Sequence, residues 1–434
     1  MLAVAMLATM IVSIFLGIPV AFTLIFLALG FGYLEMGTRV FDLSYYNWIG
    51  GLSDEVFMAI PMFIFMGYVC ERAGLVDRLF DSLRSVVGNL YIVVIIIAVL
   101  VSLATGVVGA SVTLLGIMAA PHMMRLGYNP KLTAGVIAGG GSLIMIPPSV
   151  PLIVMAPTMN INIIDLYMGA LVPGLMMAVL YAVYCSFFPR PRTQERPQYV
   201  KVVIDVIPLF ILIGLVLGSM LFGLATSTEA GAFGALGAVV LAVLNRKLEL
   251  KQALIKTVDT SAVVMLLTFA SMIFGAVFTA LGGDTVIVQA LNALPIPSWA
   301  LVGSILVLCH LLGWPFEWPV VVLVFLPIFL PVLVLAEVDM LWFAVCLGIV
   351  IQTAYLTPPV ALTGYYLKKA VPEWDLGMIF KSMMPFMWLQ VLAVVILFLV
   401  PGIATWLPNY LKQDNNMSIN KIEGEIVFPT FPKN

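Results

Sequence analysis

Long apolar stretches separated by short polar turns run through the whole chain and predict helices. Positions 90–103, 203–222, 301–312 and 391–400 are almost wholly apolar, with no polar stripe to face water. Stretches of that kind belong in hydrocarbon, where about 20 apolar residues make one helical crossing. Two of the predicted helices carry an interruption that a single membrane helix should not tolerate. The first runs from Gly139-Gly140-Gly141-Ser142 to Ile146-Pro147-Pro148-Ser149, the second is Tyr355-Leu356-Thr357-Pro358-Pro359-Val360. A proline inside a helix costs roughly 3 kcal/mol, because it removes a backbone bond and crowds the preceding turn. In hydrocarbon the freed backbone groups must be satisfied by protein or by a water-filled cavity. Two such breaks, in corresponding positions of two halves, point to a transporter's binding site.

The halves repeat one order of elements. Each has a short charged amphipathic stretch (71–84 and 245–259), then an apolar span, then a Gly-containing turn inside apolar sequence. Those turns are Thr105-Gly106-Val107-Val108-Gly109-Ala110-Ser111 and Leu312-Gly313-Trp314-Pro315-Phe316-Glu317. A proline follows (Pro121; Pro327 and Pro331), then a polar turn (125–131; 336–339) and the broken helix. From Gly109 to Pro147 is 38 positions, and from Gly313 to Pro358 is 45. The segment 113–124 is too short to cross a membrane, so each Gly turn reads as the tip of a re-entrant hairpin. Two tips and two breaks then meet near the bilayer midplane and present half-helix ends to one cavity. Helix N-termini carry roughly +0.5 charge and favour carboxylates, whereas C-terminal carbonyls favour cations. The charged stretches read as interfacial arms bracing a moving domain.

Composition agrees with the pattern. Apolar residues make up 62% of the 434 positions and charged residues 10%, against about half and about a quarter in a soluble domain. The chain therefore reads as an all-α polytopic membrane protein. No basic patch suits nucleic acid. Arg190, Arg192, Arg196 and Lys201 flank a Pro-rich linker, and Arg246, Lys247, Lys251 and Lys256 follow two helix lengths later. Both basic loops fit the cytoplasmic side by the positive-inside rule, with the Thr226-Ser227-Thr228-Glu229 turn outside. The apolar run from Met1 lacks a basic leader and reads as a retained first helix. Cys70, Cys185, Cys309 and Cys346 stand singly and read as reduced packing residues, while His122 and His310 read as satisfied polar groups between helices. No cofactor, nucleophile-and-base set or metal motif is present, which argues against an enzyme.

The ordered motifs resemble the large membrane subunit of tripartite ATP-independent periplasmic (TRAP) transporters. The matching pieces are Leu16-Gly17-Ile18-Pro19-Val20-Ala21-Phe22, Ala59-Ile60-Pro61-Met62-Phe63-Ile64-Phe65-Met66-Gly67, Gly109-Ala110-Ser111, Pro121 with Gly127-Tyr128, Ile146-Pro147-Pro148-Ser149, Thr226-Ser227-Thr228-Glu229-Ala230 and Leu356-Thr357-Pro358-Pro359. Together they span about residues 5–410. The stretch Gln352 to Lys368 looks most like the subgroup labelled for mannitol, chloroaromatic or keto-acid substrates. Members commonly have Gly-Ser-Ser at the first tip, Asp in place of Glu317 and Pro in place of Ser227.

The resemblance implies an inverted-repeat elevator-type transporter with two re-entrant hairpins and two discontinuous helices, similar to the wider ion-transporter superfamily. It implies Na⁺ as coupling ion, a small organic acid as substrate, and a place in the bacterial inner membrane. A small four-helix (Q-type) membrane subunit and a periplasmic substrate-binding protein would be its partners. On this reading 1–89 holds scaffold helices and a first arm, 90–188 the first transport repeat, and 189–264 the linker, scaffold helices and second arm. The second transport repeat is 265–369, a C-terminal helix 370–412 and a flexible tail 413–434.

Na⁺ takes oxygen ligands, which unwound carbonyls and hydroxyls supply without a carboxylate. The expected first site is Gly106, Gly109 and Ser111 facing Ser142, Ile146, Pro147 and Ser149. The expected second is Gly313 and Glu317 facing Thr353, Thr357 and Pro358. Substrate would meet Ser111, Pro148, Ser149, Thr357 and Pro359. The competing reading is that these hydroxyls bond back to their own helices. For the whole protein the rival is a stand-alone di- or tricarboxylate carrier of the same superfamily, which needs no binding protein.

Overall fold

The computed structural model describes residues 1–106, 108–189, 191, 198–292, 297–314, 316, 318–358 and 361–412. All regular structure among them is helical. Leading in are α1 (Leu2–Phe15), α2 (Val20–Met36) and α3 (Arg39–Leu52). The first repeat is α4 (Glu55–Arg72), the arm α5 (Leu75–Val86), the hairpin α6 (Leu90–Thr105) and α7 (Val108–Arg125), the broken helix α8 (Pro130–Gly141) and α9 (Val150–Thr158), and a closing helix α10 (Ile163–Ser186). Two helices follow, α11 (Tyr199–Leu221) and α12 (Ser227–Leu244). The second repeat keeps the order of the first: α13 (Leu250–Ala280), the arm α14 (Gly283–Asn292), the hairpin α15 (Ser298–Leu312) and α16 (Trp318–Leu335), the broken helix α17 (Met340–Ala354) and α18 (Leu362–Ala370), and α19 (Leu376–Leu399). A last helix, α20, covers 402–412 after Pro401. By length and composition six of the described helices can cross a membrane, or seven if α3 and α4, bent by 56°, form one span.

Several expected borders move. The second arm is not at 245–259: the chain from Leu250 to Ala280 is one unbroken helix, and the arm is α14, beyond Gly282 at φ +75°. No Gly or Pro interrupts 250–274, so nothing stops the charged turns from continuing into the apolar ones. The border at 264/265 consequently falls inside α13. The first arm is α5 at 75–86 rather than 71–84, because α4 runs on to Arg72 and turns at Gly74. The return limb of the first hairpin is 18 residues, longer than 113–124, since Gly109 and Gly116 stay helical. Region 370–412 holds two helices, divided at Pro401. The tail 413–434 lies outside the described residues.

The helices pack as two groups. In one, α13 lies against α2, α3 and α4, and α12 lies along α4. In the other the repeats exchange partners: α8 packs on α19, α7 on α18, α9 on α16, and α10 on α17 and α19. Close approach depends on small residues, as expected where lipid offers no hydrophobic drive and van der Waals fit decides. Along α12, a Cβ at Gly234 would come within 2.5 Å of Met66 Sδ on α4.

Polar groups at helix ends are well served. Thr226 and Glu229 form a capping box: Glu229 N–H donates to Thr226 Oγ1 (3.3 Å) and Thr226 N–H donates to Glu229 Oε2 (2.8 Å). Thr226→Ala should therefore lower stability by about 1 kcal/mol with no change in ion response, read as a thermal shift equal in NaCl and KCl. His122 accepts from Arg84 (2.8 Å to Nε2), and the four cysteines are buried and unbridged.

Candidate functional site

The first break is an unwound segment of eight residues between α8 and α9, and side chains of the other repeat satisfy it. Ser142 Oγ donates to the Gly139 carbonyl (2.7 Å) and accepts from Gln390 Nε2 on α19 (2.9 Å). The same Nε2 reaches the Tyr181 hydroxyl on α10 (2.8 Å). Met145 N–H donates to Gln352 Oε1 on α17 (3.3 Å). Both glutamines are buried, so the second repeat holds the first repeat's break in shape. The second break is held more locally. Thr357 Oγ1 donates to the Thr353 carbonyl (2.8 Å), Thr353 Oγ1 to the Val350 carbonyl (2.5 Å), and Thr363 Oγ1 to the Tyr355 carbonyl (2.7 Å). His310 Nδ1 on α15 and Thr353 Oγ1 on α17 share a hydrogen bond of 2.6 Å, which ties the hairpin to the broken helix.

Each tip lies against its own break. Gly106 turns between α6 and α7 at φ +60°, a conformation that disfavours any side chain. A Cβ there would sit 3.4 Å from Val150 N, 3.5 Å from Ser149 Cα and 3.6 Å from the Pro148 carbonyl oxygen. Gly313 meets Ala354 at the end of α17, where a Cβ would lie 2.9 Å from the alanine methyl.

The remaining expected ligands are distributed less simply. Ser111 is buried, and its neighbour Val112 is pressed against Gly141 at the end of α8. Gly109 faces the Tyr366 ring on α18 rather than the first break, and Ile146 packs on Gly174 of α10. The Pro147–Pro148 peptide is cis. Ser142, Thr353 and Thr357 follow the back-bonding pattern and keep lone pairs available on oxygen. Ser149 differs: its hydroxyl is buried, makes no hydrogen bond, and leaves the N-cap of α9 unused. The buried Tyr167 hydroxyl lies beside the Ser149 backbone. Glu317 and Pro359 lie outside the described residues, and Pro358 is half-buried.

The first tip, both breaks and the start of the second hairpin's return limb border one cavity of about 420 Å³. On this side its wall is made of helix starts: Val108 and Gly109 open α7, Val150 and Pro151 open α9, Trp318 and Pro319 open α16, and Leu362 opens α18. Gly106, Ile144, Tyr355 and Tyr366 complete it. Four N-termini therefore share one space, each bringing roughly half a positive charge. That arrangement favours an anion. Ser111, Pro148, Ser149 and Thr357, expected to meet substrate, are buried and do not line this cavity.

The opposite wall comes from α4 and α13: Ile64, Tyr68, Lys256, Asp259, Thr260, Val263 and Val264. Tyr68 and Thr260 share a hydrogen bond of 2.8 Å between hydroxyls. Sequence reasoning did not place these residues at a site. Two opposite charges three positions apart, at the entry to a long apolar run, were the available signal.

The pattern of the tripartite ATP-independent periplasmic transporter, DctM component, is matched over residues 7–403. A putative TRAP transporter large permease protein of Haemophilus influenzae is 28% identical over 385 residues, covering 84% of this chain and 94% of that protein. The isethionate TRAP transporter permease protein DctMQ of Oleidesulfovibrio alaskensis is 26% identical, covering 87% of this chain and 63% of that protein. Among solved structures, the Alcanivorax borkumensis YdaH transporter superposes with a TM-score of 0.62 at 16% identity, covering 86% of this chain and 90% of that one.

Proposed function

The chain belongs to the DctM component family of tripartite ATP-independent periplasmic transporters, and from that membership and the cavity together we propose a Na⁺-coupled permease that imports a small organic acid. It is a multi-pass protein of the bacterial inner membrane and not an enzyme. The observation that carries the substrate class is the meeting of four helix N-termini on one cavity. A volume of about 420 Å³ suits a small metabolite. The relative named for isethionate handles an organic anion.

On this reading Na⁺ binds behind the cavity wall, at Gly106 with Pro148 and Ser149, and at Gly313 with Thr353 and Thr357. Cation binding holds each tip on its break and thereby sets the four N-termini for the anion. The group containing α6–α10 and α15–α19 then moves as an elevator along α4 and α13, with a small four-helix subunit beside the scaffold. A periplasmic binding protein delivers the substrate.

Reconstitution tests this directly. Vesicles holding the chain with its small subunit and binding protein should accumulate an organic acid under an inward Na⁺ gradient and not under an equal K⁺ gradient. Uptake independent of Na⁺ would remove the coupling ion. Equal uptake without the binding protein would favour the stand-alone carrier.

A further inference from the structure

The far wall of the cavity carries a charge pattern that narrows the substrate. Lys256 and Asp259 both line it, on the same face of α13 and one turn apart. Positions i and i+3 of a helix place their Cβ atoms about 5–6 Å from each other. Neither residue has a salt-bridge partner among the described residues, and both are exposed. Glu71, at the end of α4, is within electrostatic reach of Lys256. Charges at this depth need not be buried in hydrocarbon. The 31 residues of α13 span about 46 Å, against about 30 Å of bilayer core, so its first turns reach the interface.

We infer that Lys256 and Asp259 select a hydroxylated monocarboxylate over a dicarboxylate, Lys256 pairing with the carboxylate and Asp259 accepting from a hydroxyl. This rests on the organic-acid reading. An ammonium among four helix N-termini gives the carboxylate a clear preference for one end of the cavity. Asp259 then faces the rest of the molecule as an acceptor without a donor. A hydroxyl supplies that donor, and the Tyr68–Thr260 hydroxyl pair beside it offers further donors and acceptors. A second carboxylate would instead meet Asp259 as a like charge, which costs binding. Lys256 and Asp259 stand on the α4–α13 group and the tips on the other. They therefore contact substrate when the cavity lies, as here, beside the basic loop that precedes α13.

Binding of D-gluconate and of succinate to the purified complex, measured calorimetrically in NaCl, tests the assignment. Wild type should bind gluconate at least tenfold more tightly than succinate. Lys256→Gln should weaken gluconate about tenfold and Lys256→Arg should restore most of it. Asp259→Asn should narrow the gluconate–succinate gap. The Na⁺-dependent thermal shift should persist in all three variants, which shows that they fold. Tighter binding of succinate by wild type, or unchanged gluconate affinity in Lys256→Gln, overturns the inference and leaves the permease reading standing. Failure of gluconate to bind in NaCl overturns the inference; if Na⁺ also gives no thermal shift, the coupled-permease reading falls with it.

Discussion

Replacing Gly135 with valine should destabilise the folded protein by about 3 kcal/mol, toward the upper end of overpacking effects. Gly135 lies on α8 where it crosses α19, and a Cβ there would stand 2.3 Å from the Ser382 carbonyl oxygen and 2.6 Å from the Phe386 ring. One turn on, a Cβ at Gly139 would meet the same ring at 2.8 Å. Phe386 is fully buried and packed edge-on against Tyr181, so it has nowhere to move, and the opposing oxygen is backbone. The helices would have to separate, and their separation would also pull Gln390 on α19 away from Ser142 at the break. Gly30→Ala on α2 is the control, since nothing lies within 4 Å of a Cβ there. That change should be neutral or stabilising by up to about 1 kcal/mol, through helix propensity. Thermal unfolding in detergent compares the two. Equal melting temperatures would mean that α8 and α19 do not cross at Gly135.

Ser149→Ala is expected to act in opposite directions in two salts. In KCl the variant should melt higher than wild type, because the change removes a buried hydroxyl that makes no hydrogen bond, a group costing about 1–3 kcal/mol. In NaCl the gain should vanish or reverse. If the hydroxyl is a Na⁺ ligand beside the Gly106 tip, its loss should weaken the apparent Na⁺ affinity about tenfold, or about 1.4 kcal/mol. Thr357→Ala provides the contrast, since its hydroxyl already donates to the Thr353 carbonyl. That variant should lose about 1 kcal/mol in KCl and show no gain in either salt. A lower melting temperature for Ser149→Ala in KCl would show that the hydroxyl is bonded without Na⁺ and would remove it as the leading ligand.

The contrast between these two residues marks where sequence reasoning stops. Ser149 and Thr357 look alike in sequence: each is a hydroxyl beside a double proline, inside an apolar stretch. In the fold the Thr357 hydroxyl reaches the Thr353 carbonyl one turn back on its own helix, whereas Ser149 is the N-cap of a helix and its hydroxyl makes no hydrogen bond. Similarly, Gln352 and Gln390 are single polar residues in apolar helices, and their sequence spacing gives no hint that they hold Met145 and Ser142 of the other repeat.

Local chemistry was enough to determine the membrane class, the breaks and the tips. Apolar runs demand hydrocarbon, proline pairs deny a helix its backbone bonds, and Gly106 permits a turn that other residues resist; each of these acts within a few residues. The interval between hairpin and break was also legible, because it is measured along the chain. The second arm was misplaced because charge marked 245–259 equally well as arm or helix start, and only the uninterrupted packing of α13 on α2, α3 and α4 resolves it. The cavity's far wall, the exchange of partners between repeats and the α8–α19 crossing belong to tertiary structure alone. They depend on which face each helix turns to a distant neighbour, and helices apolar all round carry no stripe from which that face can be read.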